Sequence, residues 1–357
     1  MTIDFKNLFQ KALNDERKIL RPFFFPSTTN QAKLVTEESY VRLRLARMFL
    51  KERRKLFQTK YPVVNALTRF AGLDGIVEVN FVVKPEMAGD SDTSRLDDIV
   101  SLDQTLLGPV LYRGGDMELM LGLYAAPADD WAQRFIQLAE GISQLTLNSV
   151  VSTAISMTST IKTAIENALS GDGLDLKLGL DQELKENVWL APGHLVMIAA
   201  PENSIDVANL VIKDGELRTE QGDIYSEHDY LLLEIEVTSQ RSDWQTLGYG
   251  RLWDDLLNMA ANANDIQAVK SSYTTFSGVI MASDDLSWAD RTAIVSLAQQ
   301  RVKAIREVRN STGFLDGMKD ANALLQLEDL LTAVPALPTN SMSTEITADP
   351  FTTNWLE

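Results

Sequence analysis

The feature that most constrains the fold is a set of short runs in which apolar residues alternate with polar ones, each closed by Gly, Pro or Asp-Gly. Leu174, Leu176, Leu178 and Leu180 alternate with Asp175, Lys177 and Gly179. That is the two-residue period of a strand with one buried face. The run from Ile76 to Val83 is rich in β-branched and aromatic residues and stops before Pro85, as a strand should. His194 to Ala200 runs to Pro201, Asn209 to Ile212 precedes Asp214-Gly215, and Tyr230 to Val237 closes the group. Pro109 to Tyr112 and Met117 to Tyr124 flank Gly114-Gly115, which predicts a hairpin. Strands are therefore expected in two segments, about 75–125 and 174–240.

Helical spacing is read on either side of these segments. A first helix is expected at about 3–20, with Phe5, Leu8, Phe9 and Leu13 on one side. Arg21-Pro22 stops it, because proline lacks the donor a helix needs and disfavours helix in the residue before it. Phe23, Phe24 and Phe25, held between two prolines, need burial in this chain's core or in a partner. A second helix is expected from Thr36 to Thr59, on the spacing of Val41, Leu45, Met48, Phe49 and Leu56. A short third, about 63–71, would end at Gly72. A helix pair is expected at about 128–145 and 148–169, and an exposed acidic loop at 86–98. The last third predicts helices at about 250–264, 266–281 and 287–309, the last opened by Ser287 with Asp290 three residues on, close to a capping box. A final helix at about 317–333 precedes Pro335, Pro338 and a polar tail, whose composition predicts disorder.

The fold class expected is α+β, with mainly antiparallel strands, helices packed around them, and helical N-terminal and C-terminal regions. The domain reading is a basic helical region at 1–72, a β-rich domain at 73–240 with the inserted helix pair, a helical region at 241–334 and a tail at 335–357.

The chain has no cysteine, which removes disulfides, thiolate metal sites and a cysteine nucleophile, and fits a reducing compartment. Its first residues lack the basic and apolar regions of a secretory signal. No apolar run approaches the ~18 residues of a membrane span. A cytoplasmic protein is the expectation. The net charge is -17, but its distribution matters more than its sum. Residues 1–70 carry 15 Lys or Arg against 6 Asp or Glu, a net of +9, and residues 71–357 carry a net of -26. Such polarity points to interaction, and the acidic majority disfavours nucleic acid as the partner.

Between Val41 and Lys60 lie Arg42, Arg44, Arg47, Lys51, Arg53, Arg54, Lys55 and Lys60, opposed only by Glu52. Five of the eight are arginine, which suits bidentate pairing with carboxylate or phosphate. Arg42, Arg44, Arg47, Lys51, Arg53, Arg54 and Lys55 are the candidate partner-binding residues. The competing interpretation is a helix side that neutralises the acidic body of its own chain.

Other chemistry is thinner. His194 and His228 are the two histidines. A metal site drawn from His228, Asp229, Glu234 and Glu236 would need convergence that the strand pattern does not require. Ser159 to Lys162 matches S-x-x-K without its companion motifs. The pairs Asp129-Asp130 and Asp284-Asp285 stand at expected helix starts, where capping accounts for them. Asp97-Asp98 and Asp254-Asp255 read as solvated surface. No phosphate-binding glycine loop, nucleophile elbow, zinc-protease or calcium-loop motif is present, so neither a cofactor nor a metal is implied. The expectation is a non-enzymatic interaction or assembly subunit whose basic segment engages an acidic surface, on a partner or on a neighbouring copy. The alternatives are a metal-dependent hydrolase near His228, Glu234 and Glu236, and nucleic-acid or anionic-lipid binding through the basic segment.

Overall fold

Every polar backbone group that a strand buries needs a partner, and alternating strands meet that need by pairing edge to edge while turning their apolar sides inward. The computed structural model describes residues 22–51, 54–55, 58–83, 100–127, 175–200, 204–311 and 329–331. Among them the strands begin with β1 (Phe23–Pro26), β2 (Tyr40–Phe49), β3 (Arg54–Lys55), β4 (Gln58–Gly72), β5 (Gly75–Val83) and β6 (Val100–Leu111). They continue with β7 (Met117–Pro127), β8 (Asp175–Leu184), β9 (Gly193–Ile198), β10 (Leu210–Lys213), β11 (Glu216–Thr219) and β12 (Tyr230–Thr238). Three helices follow: α1 (Tyr249–Asn262), α2 (Ile266–Met281) and α3 (Trp288–Ser311). Mixed α+β content with antiparallel sheets is therefore observed.

Two sheets carry the strands. One has the order β1-β9-β12-β2-β6, and every pairing in it is antiparallel. In the other, β4 lies between β7 and the two shorter partners β3 and β5, with β8 beyond β7. The inner faces share one core. Val41, Leu43, Leu45, Leu195, Leu233 and Ile235 of the first sheet join Val64, Ala66, Leu119, Leu121, Leu123, Leu178 and Leu180 of the second. The two β-rich segments thus interleave in both sheets rather than forming one sheet each. The β10–β11 hairpin turns at Asp214-Gly215, both with positive φ (54° and 69°), as the sequence predicts. It covers a smaller cluster on the outer face of the first sheet, built on Phe49, Val196, Ile198, Tyr230 and Leu232. The three phenylalanines serve this chain's own core: Phe24 packs on the main cluster, Phe23 and Phe25 on the smaller one.

The described residues up to Thr238 form one compact unit and those from Ser239 a second. In the second, Trp244, Trp253 and Phe276 pack in sequence with ring centroids 5.4 and 5.8 Å apart. Leu256, Val269, Ile280, Ile294 and Val302 complete the core. Asp265 caps α2 by accepting from Gln267 N at 2.9 Å. Ser287 Oγ accepts from Asp290 N at 3.2 Å, as the expected capping box requires. The buried Asp290 carboxylate also accepts from Arg241 N. Arg306 and Arg309 of α3 both donate to the Ala263 carbonyl just past α1, where the negative end of the helix dipole favours cations. Leu330 and Leu331, the described part of the last expected helix, pack on this same core.

Three expectations are corrected. The segment expected as a helix from Thr36 to Thr59 contains β2, a ten-residue strand, and not a helix. Its pairing with β12 shifts by one residue between Leu232 and Leu233, where Leu45 and Arg47 become the neighbours and Ala46 is extra. This bulge breaks the two-residue period and leaves Val41, Leu45, Met48 and Phe49 at spacings that mimic a helix. The short helix expected at 63–71 is β4. Pairing along one edge of β4 stops with β3 at Thr59 and restarts with β5 at Val64. Pro62 falls in that interval, where a missing donor costs least. The helical N-terminal region thus gives way, within its described part, to strands of both sheets. Finally, β6 and β7 do not pair. Gly114 and Gly115, with φ of 90° and 83°, carry the chain from one sheet to the other. The expected helices at 3–20, 128–145 and 148–169, the loop at 86–98, the Ser159–Lys162 motif and the tail at 335–357 lie outside the described residues.

Candidate functional site

The basic segment divides into two groups with different fates. Arg42, Arg44 and Arg47 all project from the outer face of β2, because the bulge at Ala46 restores the face after Leu45. Glu236 lies opposite Arg42 and Glu234 opposite Arg44 on β12. Arg42 pairs with Glu236 at 3.1 Å. Arg44 reaches Glu236 at 2.6 Å and Glu234 at 3.3 Å. Arg47 pairs with Glu216 at 2.9 Å and donates from Nε to the Gly215 carbonyl at 2.8 Å, which ties β2 to the β10–β11 hairpin. Glu216 also pairs with Arg218, two residues further along β11. The carboxylates of its own chain thus engage all three guanidinium groups.

The row continues across the sheet. Thr105, Arg44, Glu234, His194 and Phe25 stand side by side on β6, β2, β12, β9 and β1. Burial raises the Glu234 carboxyl above its ordinary range, opposed chiefly by Arg44. Burial also holds the His194 imidazole below its ordinary value. Sequence reasoning paired Glu234 with His228. The alternation of β9 against β12 places His194 there instead, and only the register reveals it.

His228 lies elsewhere, with Nδ1 2.8 Å from the Tyr225 hydroxyl. Asp229 accepts from the Lys51 backbone N–H at 2.7 Å. Burial, with Glu227 nearby, pushes the Tyr225 phenol up to about 12. Among the described residues no group of three or more His, Asp or Glu is placed to hold a metal ion. The residues of the metal alternative are therefore not brought together.

The second group begins at Lys51, which is exposed. Arg54 and Lys55 form β3, and their neighbours on β4 are Thr59 and Gln58. Arg53 lies outside the described residues. From Lys51 to Lys60 the chain has five cations and one acid, Glu52. This turn joins β2 of one sheet to β4 of the other, so it sits at one end of the sandwich.

The opposite end gathers four connections: 27–39, 73–74, 112–116 and 185–192. Hydrogen bonds knit three of them. Glu37 N donates to the Tyr112 carbonyl at 2.7 Å, Leu34 N to Asn187 Oδ1 at 3.2 Å, and Glu186 N to Asp116 Oδ1 at 2.9 Å. Arg113 donates to Glu37 at 2.9 Å. An open groove of about 710 Å³ lies here between the first and last of these connections. Two of its amides serve the fold: Asn30 donates to the Val237 carbonyl and accepts from Ala32 N, and Asn187 accepts from Leu34 N.

Among the described residues no helix is long and apolar enough to cross a membrane. In comparison with known proteins, the chain matches no family model, no curated protein and no solved structure.

Proposed function

We propose that this chain is a non-enzymatic interaction or assembly protein whose basic turn, Lys51 to Lys60, engages an acidic protein surface. The observation that carries the reading is the division of the cations. Arg42, Arg44 and Arg47 are held by Glu236, Glu234 and Glu216 and brace the sheet. The partner-binding role therefore narrows to Lys51, Arg53, Arg54 and Lys55, with Lys60 beside them. They form a net charge of +4 within ten residues, in a chain whose last 287 residues carry -26. A cationic patch on an anionic body favours carboxylate partners of limited size, because the wider field repels a long polyphosphate.

The test uses full-length protein with short poly-L-glutamate of about ten residues, a single-stranded oligonucleotide of similar length and phosphatidylserine vesicles as separate probes. Poly-L-glutamate binds, its affinity falls steeply with salt, and the Lys51→Glu, Arg54→Glu, Lys55→Glu triple variant weakens it at least about tenfold. Binding to the oligonucleotide or the vesicles with no affinity for poly-L-glutamate would overturn the reading in favour of nucleic acid or lipid.

A further inference from the structure

We propose that the open groove between the 27–39 and 185–192 connections is a binding site for a small hydroxylated anion, a carboxylate or phosphate carried on a polyol. The proposal is independent of the basic turn, which lies at the other end of the sandwich.

The walls of the groove are fixed by bonds that the fold makes for itself. Ser27 N donates to the Pro192 carbonyl at 2.9 Å and joins one wall to the other. Ser27 Oγ accepts from Asn30 N at 2.9 Å, and the Asn30 and Asn187 amides fasten the loops that carry them. Pro26 and Pro192 lie one on each wall, and each fixes its own φ. Beside them the chains pack closely, since a Cβ on Gly193 would lie 2.4 Å from the Phe25 carbonyl oxygen. Walls set in advance spare a ligand the cost of ordering them. The volume of about 710 Å³ falls within the ~300–1,000 Å³ of small-molecule sites.

The groups that the fold leaves unused define the ligand. Thr28, Gln31 and Lys33 line the groove and are exposed. Among the described residues nothing pairs with the Thr28 hydroxyl, the Gln31 side-chain amide or the Lys33 ammonium. Lys33 is the one charged residue lining the groove. Glu186, next to it in the wall, accepts from Asn187 Nδ2 at 3.3 Å. An ammonium offers three donors and no acceptor, whereas a hydroxyl and an amide both donate and accept. Lys33 therefore calls for an anionic group, and Thr28 and Gln31 call for hydroxyls. No aromatic ring lines the groove, so it lacks the stacking platform of a nucleobase site. Its apolar lining is proline and alanine alone, so it lacks the anchor pocket that a peptide side chain needs.

Ligand-observed NMR on the full-length protein tests the proposal with four probes: glucuronate, glucose 6-phosphate, glucose and inorganic phosphate. At least one of the two sugar anions binds with a Kd of about 1 mM, and the tighter of the two tells carboxylate from phosphate. Glucose and inorganic phosphate each bind at least about tenfold more weakly than that anion, because each keeps only half of the recognition. Lys33→Gln removes the preference for the anion over glucose. Gln31→Ala weakens the anion and glucose alike, about fivefold. Both positions are exposed, and both variants keep the wild-type urea midpoint. The Lys51→Glu, Arg54→Glu, Lys55→Glu variant binds the anion as wild type does. Four results overturn the proposal: no binding of either sugar anion at about 20 mM, inorganic phosphate binding as tightly as the sugar anion, unchanged preference in Lys33→Gln, or loss of binding in the turn variant.

Discussion

Replacing Glu236 with glutamine removes one charge from the most heavily used carboxylate of the outer face. Glu236 holds Arg42 at 3.1 Å and Arg44 at 2.6 Å, and its side chain is 24% exposed, against 29% and 23% for the two arginines. Such partial burial lies between the surface regime, where a pair contributes ~0–1 kcal/mol, and the buried regime, where breaking one costs ~3–5 kcal/mol. Glutamine preserves an acceptor but not the charge, and each hydrogen bond to a charged group contributes ~1.5–3 kcal/mol. Arg44 also keeps Glu234 at 3.3 Å, which recovers part of the loss. The net expectation is about 2 kcal/mol, read as a shift in the urea midpoint at unchanged slope. A double-mutant cycle with Arg42→Gln then gives a coupling energy near 1 kcal/mol. A Glu236→Gln variant within about 0.3 kcal/mol of wild type, with no coupling to Arg42, would refute the structural role of this ladder.

Two further outcomes follow from the same sandwich. His194 titrates below its ordinary value because it is buried, so the unfolded chain takes up its proton first, and this part of stability is full above pH ~6.5 and declines below it. His194→Gln therefore loses less stability than wild type between pH 7 and 5 in urea unfolding, and parallel curves would contradict this; Glu234, whose pKa is raised, acts in the opposite sense in both proteins. Gly108 has φ of 83°, and a Cβ there would lie 2.3 Å from the Val41 carbonyl oxygen and 2.7 Å from Val110 N. Gly108→Ala should cost about 3 kcal/mol or more, and a thermal midpoint within a degree of wild type would count against the close approach of β6 to β2.

The legible parts of this chain are those where one period runs unbroken. Helices α1, α2 and α3 lie within two residues of where their apolar spacing places them, because Trp253, Leu256, Leu257 and Ala260, for instance, hold one face without interruption. Strands β5, β9 and β12, and the Asp214-Gly215 hairpin, were equally readable. β2 was not, since one extra residue at Ala46 converts a strand period into a helix-like one. β4 was not, since Pro62 sits inside a strand at the one place where its neighbour changes. Gly114-Gly115 signals reversal but not which sheet receives the next strand. At the candidate site, the residue types were visible and their partners were not. The pairing of Arg42 and Arg44 with Glu236, 194 and 192 residues away, is set by strand order, which no local pattern encodes.

The most direct test compares the binding of poly-L-glutamate by two full-length variants at low salt, each checked for folding by urea midpoint. Lys51→Glu with Arg54→Glu and Lys55→Glu keeps its midpoint and loses poly-L-glutamate binding. Arg42→Gln with Glu236→Gln loses stability and still binds. The reverse pattern, with binding surviving the turn changes and vanishing with the face changes, would place the docking surface on the arginines that hold the sheet face.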